Sequence, residues 1–199
     1  MLGDLPRTLD VGGRAYRIRT DYRSVLRIIA ALADDELKDA EKAYVLLRQV
    51  YIDFDSIPAD KYVEAYEKAC GFIACGQPDT DRKQPQVVNW IKDEQMLFPA
   101  INKVAGREVR AAEYLHWWTF MGFFHGISSE DTYGYVLMLR QKKARGKKLE
   151  KHEQEFWDNN RQMCEYKQRP ASSSKLAEAT AADIFAQLLA EQKQAEQEG

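Results

Sequence analysis

Cysteine is scarce in this chain, and so is any long apolar run. Only Cys70, Cys75 and Cys164 occur in 199 residues. An odd count of three suits a reducing compartment. The two nearest lie five apart, with no second pair to complete a metal cage. The richest apolar stretch, residues 114–127, is too short and too interrupted to cross a bilayer. The first residues carry an acid early and have no apolar signal core. A soluble, cytosolic chain with no membrane partner is the expectation. Charge of one sign is lacking too: the formal net charge is −2 and the pI is near 6.0. No global basic field attracts nucleic acid, so any such contact has to be local. Phosphate-cradling glycine loops, nucleophile elbows and triad-like spacings are absent. No catalytic, cofactor-binding or metal residue is therefore assigned, no cofactor is expected, and the chain reads as a non-enzyme.

What is present is mostly helical periodicity. Gly12-Gly13 sits between Thr8–Val11 and Arg14–Ile18, and two glycines that can both take positive φ suit the primed turn of a small β-hairpin. Such a ribbon is marginal alone and must lie on something else. Thr20 or Asp21 can cap a helix with Tyr22, Val25, Leu26, Ile29 and Leu32 on one stripe. A second helix spans about 38–52, with Ala43, Leu46, Leu47 and Val50 apolar. Pro58 suits the first turn of a third, which carries Tyr62, Ala65, Tyr66, Ala69 and Ile73 and stops at Gly76. The run GQPDTDRKQPQ reads as an exposed connection. Residues 87–104 read as a fourth helix that Pro99 would kink or split, and about 109–125 as a fifth ending at Gly126. Ser128 or Ser129 can cap a sixth, with Tyr133, Val136, Leu137 and Leu139 apolar, and a seventh runs over 148–167. Pro170-Ala-Ser-Ser-Ser is a linker. Beyond it, Thr180 to Asp183 has capping-box spacing ahead of Ile184, Phe185, Leu188 and Leu189.

The stretch EYLHWWTFMGFFHGI, residues 113–127, gathers six aromatic rings and two histidines. His116 and His125 are nine residues apart, which at about 100° per residue puts them on opposite faces of a helix, with no acid or histidine at i+3 or i+4 to share a metal. A partly buried histidine bonded to a backbone carbonyl is the expected role of such a residue. Tyr114, Trp117, Met121 and Phe124 form a stripe that Trp118 widens and Phe120 and Phe123 flank. A helix so apolar is either core or core with a face that meets a partner. The basic run 140–151 lacks interleaved aromatics and reads as solvated surface, as do the carboxylate pairs Asp34-Asp35 and Asp93-Glu94. Cys70 and Cys75 read as small core residues rather than a redox pair.

In order along the chain, LPRTLDVGGRAYRIRTDYRSVLRI, FIACGQ, NWIKDEQMLFPAINKVAGREV and LHWWTFMGFFHGISSEDTYGYVLMLR make a pattern that resembles the gene-product-fifteen family of siphophage and prophage proteins. The resemblance covers about residues 5–166. Its most specific part is Leu115-His116-Trp117-Trp118 with Phe120, then Gly126-Ile127. Pro99 departs from it, and the Ala/Gln-rich end after Arg169 lies outside it. The resemblance implies a tail assembly chaperone, encoded between the major tail protein and the tape-measure protein, that binds the tape-measure chain and keeps it soluble.

The expectation is a mainly α-helical bundle of about six or seven helices over residues 1–169, with a small N-terminal β-hairpin. A linker and short C-terminal helix follow over 170–199. Function is expected by binding in the host bacterial cytoplasm, to the tape-measure protein and the tail tube protein, with self-assembly as a further expectation. Trp117, Trp118, Phe120, Met121 and Phe124 are the candidate contacts, with Ile184, Phe185, Leu188 and Leu189 as a second set. The rivals are a structural tail or connector component of the virion, and a nucleic-acid-binding module using 140–151.

Overall fold

The computed structural model describes residues 3–77 and 85–165, with positions 186 and 190. Those residues hold eight α-helices and one two-stranded antiparallel hairpin, the mainly helical class expected. The bundle expected over 1–169 divides into two compact units. Residues 3–77 and 116–118 belong to the first, and 85–115 with 119–165 to the second.

In the first unit, strands β1 (Thr8–Val11) and β2 (Arg14–Arg17) pair with Val11 opposite Arg14. Gly12 and Gly13 take φ of 59° and 77°, the left-handed pair that a primed two-residue turn requires. The hairpin lies on α3 (Tyr62–Ile73), where the Gly12 N–H donates to the Glu64 carboxylate at 2.9 Å. Asp21 accepts the Arg23 N–H and so caps α1 (Tyr22–Leu32), which buries Tyr22, Val25 and Ile28. Helix α2 (Asp39–Val50) buries Ala43, Leu46, Leu47 and Val50 as expected. At its end, one terminal nitrogen of Arg19 donates to the carbonyls of Arg48, Gln49 and Tyr51 at 2.9–3.2 Å. A cation placed there answers both the orphan acceptors and the negative end of the helix dipole.

Beyond residue 85 four boundaries differ from the sequence reading. Helix α4 (Glu94–Ala105) begins seven residues later than the expected start at 87, and residues 90–93 form a turn ahead of it. It continues through Pro99, which has no N–H for the Gln95 carbonyl; both residues are exposed, so water can take that acceptor. The expected helix over 109–125 is broken into a 3₁₀ turn at Val109–Ala111, a non-helical passage, and α5 (Trp117–His125). Asp131, rather than Ser128 or Ser129, occupies the cap position of α6 (Thr132–Ala144). The Ser128 hydroxyl instead accepts the Glu130 N–H, and a Cβ at Gly134 would stand 2.0 Å from the Ser128 carbonyl oxygen, which only glycine allows. The expected helix over 148–167 is two, α7 (Lys151–Asn159) and α8 (Arg161–Cys164), separated at Asn160.

The centre of the second unit corrects the reading of two charged residues as solvated surface. Asp93 is fully buried and Arg140 is 3% exposed. Their side chains pair in a bidentate fork at 2.6 and 2.9 Å. The remaining donor positions of Arg140 reach the carbonyls of Val87 (2.8 Å), Met163 (2.8 Å) and Cys164 (3.1 Å), while Asp93 also accepts from the Tyr133 hydroxyl and the Asn89 N–H. The pair therefore joins the 87–93 segment, α6 and α8. Around α6 lies a core of Val136, Leu139, Trp157 and Cys164.

Two outcomes are expected. Arg140→Met strands a buried carboxylate and should cost about 3–5 kcal/mol in urea unfolding, whereas the double variant Asp93→Asn/Arg140→Met should cost less than the sum of its singles. Strict additivity would deny the coupling. Glu108 accepts from the Arg110 guanidinium and N–H, and these hold its carboxyl down to about 2. A carboxyl depressed on folding contributes stability above its unfolded value of about 4.3 and loses it as pH falls through the folded one. The difference in urea midpoint between the wild type and Glu108→Gln should thus shrink between about pH 4.5 and pH 2; a gap independent of pH would contradict it.

Candidate functional site

The aromatic stretch begins outside a helix. His116 and Trp117 run alongside Thr20 and Asp21, with the Trp117 N–H donating to the Thr20 carbonyl at 2.7 Å and a bridge between Asp21 and His116. His116 is 3% exposed and stands where a cap residue of α5 would. Its Nδ1 accepts the Trp118 N–H at 3.0 Å, which leaves the proton on Nε2, and Nε2 lies 2.9 Å from the Pro6 carbonyl it then donates to. Both nitrogens of a neutral imidazole are used, so this is the carbonyl-bonded histidine expected and it has no lone pair left for a metal. Among the described residues no group of three or more His, Cys, Asp or Glu is placed to hold a metal ion.

The two tryptophans close the end of α3. The indole of Trp117 donates to the Ile73 carbonyl and that of Trp118 to the Phe72 carbonyl, both at 2.9 Å. A two-bond helix stop uses the Phe72 carbonyl a second time, from the Cys75 N–H, and the Gly71 carbonyl from the Gly76 N–H. Cys75 takes the left-handed conformation at φ 56°, a place usually held by glycine. Trp118 also stacks on Phe72, with ring centroids 6.3 Å apart. FIACGQ and HWW, more than forty residues apart in sequence, thus form one structural device. Burial pushes the Cys75 thiol up to about 11, so it stays protonated and is a poor nucleophile near neutrality.

From Thr119 on, the residues of α5 belong to the second unit. Phe120 is fully buried, with Phe98 and Trp90 at ring distances of 6.2 and 6.4 Å. Phe124, one turn on, lies 5.1 Å from Trp90 and is only half-buried, as are Met121, Phe123 and Trp90 itself. Beside Trp90, Ile91 is 67% exposed. Of the residues singled out from sequence, Trp117 and Phe120 are core and Trp118 is half-buried and tied to α3. Met121 and Phe124 keep an open side. Ile184, Phe185, Leu188 and Leu189 lie outside the described residues.

Trp90 and Ile91 escaped the sequence reading because a helix over 87–104 would have wound them into its face. The signal that could have found them is Asn89, whose side chain accepts the N–H groups of Ile91 and Lys92 and ends the approach to α4 in a turn. The basic run is also less open than its letters suggest. Arg140 is buried, Lys142 pairs with Glu153, and the Lys143 ammonium stands 3.9 Å from the Trp157 ring centre. Arg145, Lys147, Lys148 and Lys151 remain exposed.

Removing one indole donor while keeping an aromatic ring tests the helix stop. Trp117→Phe should cost about 1–3 kcal/mol, because it strands a carbonyl beside a buried ring, and Trp118→Phe about 0.5–1.5 kcal/mol. Met121→Ser should stay within about 1 kcal/mol of the wild type. Urea titration of the three variants checks the order, and an inert Trp117→Phe would break it.

No curated protein and no solved structure matches this chain. The sequence model of one family, described as Bacteriophage Gp15 protein, matches residues 1–166. That span takes in the hairpin, the helix stop at Cys75-Gly76, the Trp pair and the Asp93–Arg140 centre, and the chain belongs to the Bacteriophage Gp15 protein family.

Proposed function

We propose that this phage protein is a non-enzymatic tail assembly chaperone, which binds the tape-measure protein in the host cytoplasm, keeps it soluble and assists assembly of the tail tube around it. The observation that carries the reading, given the family, is the apolar face of the second unit. There the half-buried rings of Trp90 and Phe124 lie 5.1 Å apart, and Ile91, the residue after Trp90 in the chain, stands exposed. Exposed large apolar side chains next to aromatic rings are the features of a surface that meets a partner. Met121 widens that surface with a side chain that adapts to varied partners. An amphipathic helix laid along it buries its own stripe and these residues together, which is helix-in-groove recognition. No helix among the described residues is long and apolar enough to cross a membrane, and a site for aqueous binding agrees with that. Self-assembly around the tape measure belongs to the same reading, as does a second contact to the tail tube protein.

The nucleic-acid reading is weaker, since three cations of the 140–151 run are already committed within the protein. A virion component would remain in purified particles, whereas a chaperone is left behind.

Co-expression with the tape-measure protein tests the proposal. The long partner should become soluble and co-purify with the wild type, and Ile91→Asp or Phe124→Ser should lower its recovery about tenfold while leaving the circular dichroism of this protein unchanged. A tape-measure chain that stays insoluble, or folded variants that work as well as the wild type, would overturn it.

A further inference from the structure

The guanidinium that closes α2 spends only one of its nitrogens on the helix. Nη1 of Arg19 serves the carbonyls of Arg48, Gln49 and Tyr51. Its other edge, Nε with Nη2, has no partner among the described residues, and since no buried side-chain nitrogen there lacks one, that edge reaches solvent. Backbone pairing fixes the base of the side chain: the Arg19 N–H donates to the Val50 carbonyl at 2.8 Å, and the Ile52 N–H to the Arg17 carbonyl at 3.0 Å. A fork held at one end is pre-organised for a planar acceptor with two oxygens. Arg17, two residues earlier, uses the same edge in that way, with Nε and Nη2 on the Asp53 carboxylate at 2.9 and 2.8 Å.

Arg19 lines a concavity of about 260 Å³ within the first unit. Arg48 lines it as well, with Nη1 on Asp55 and the guanidinium 5.5 Å from the centre of the Phe54 ring; its Nε and Nη2 have no partner among the described residues. The Asp55 side chain is 83% exposed, so water screens that pair and the cation is weakly held. Ile52, 44% exposed, adds an apolar wall. Two guanidiniums against one carboxylate leave the concavity short of a negative charge.

We propose that this concavity binds a single carboxylate from an acidic peptide segment of a protein partner. The Nε–Nη2 edge of Arg19 is the fork, Arg48 is the second cation, and Ile52 meets an apolar side chain next to the acid. A nucleic-acid backbone fits less well, because it calls for a run of cations, and here Arg17 and Arg48 each already face an aspartate. One such contact is weak by itself and serves to fix the register of a larger interface. The site belongs to the first unit, whereas Trp90 and Phe124 belong to the second, and it stands independently of the chaperone reading.

The test titrates the full chain with acetyl-Leu-Glu-Leu-amide and follows the arginine Nε–H and isoleucine methyl resonances by NMR. Saturable shifts at Arg19, Arg48 and Ile52 are expected in the millimolar range, and acetyl-Leu-Gln-Leu-amide should bind at least about tenfold more weakly. Arg19→Lys keeps an ammonium with donors for the three carbonyls but loses the fork, so its urea midpoint should stay near the wild type while affinity falls about tenfold. Asp55→Asn, at an exposed position, should raise affinity about threefold by removing the competing carboxylate. Shifts confined to other residues, equal binding of the glutamine peptide, or unchanged affinity in either folded variant would overturn the proposal. Tighter binding of a thymidine oligonucleotide at the same residues would overturn it too and assign the site to nucleic acid. If Arg19→Lys lost its fold, the gain in Asp55→Asn would decide alone.

Discussion

The second unit is organised around one buried ion pair. Asp93 and Arg140 are removed from water, and a charge so placed is tolerable only when its partners are complete. Here they are: the guanidinium divides its donors between a carboxylate fork and three carbonyls, and the carboxylate adds a hydroxyl and a backbone N–H. Short helices with small apolar faces, such as the four-residue α8, have little stability alone. The pair supplies what they lack, a directional contact that specifies which segment lies where. It also decides the candidate surface, because the turn that presents Trp90 and Ile91 ends at Asp93 itself.

The first unit uses the same economy with different chemistry. Its hairpin is too small to stand alone and is held on α3. The end of α3 is closed by a helix stop and two indole N–H groups, and the start of α5 is capped by an imidazole. Donors and acceptors left over at helix ends are thus answered by side chains from distant parts of the sequence. This explains why the aromatic stretch is so dense: Trp117, Trp118 and His116 serve structure through their polar atoms as much as through their rings. The part of α5 that keeps an open apolar side is the later one, around Met121 and Phe124.

Helical class, hairpin and family were legible from the sequence because they rest on local rules. Gly12-Gly13 requires its turn wherever it sits, and the stripe of α2 and most of that of α6 follow from a period of 3.6, whereas α1 buries Ile28 in place of the expected Leu26, Ile29 and Leu32. The match of motif order to a phage family is a property of the letters alone. Even the buried charges left a trace: Arg140 falls on the stripe of Tyr133 and Val136, and Asp93 on that of Leu97 and Ile101. A charge on an apolar stripe is a sign of a buried pair, but periodicity cannot say which acid meets which base.

That choice belonged to the tertiary structure, as did the division of one aromatic stretch into core and surface. Trp117, Phe120 and Phe124 have the same apolar character in sequence. Packing against Phe98 and Trp90 buried Phe120 and left Phe124 half open, while hydrogen bonds at Asn89 stopped the approach to α4 and left Ile91 in water. Local propensity determined where helices could form, because each residue carries its own backbone preference. Which faces became surface depended on contacts between residues far apart in the chain, and those exist only once it has folded.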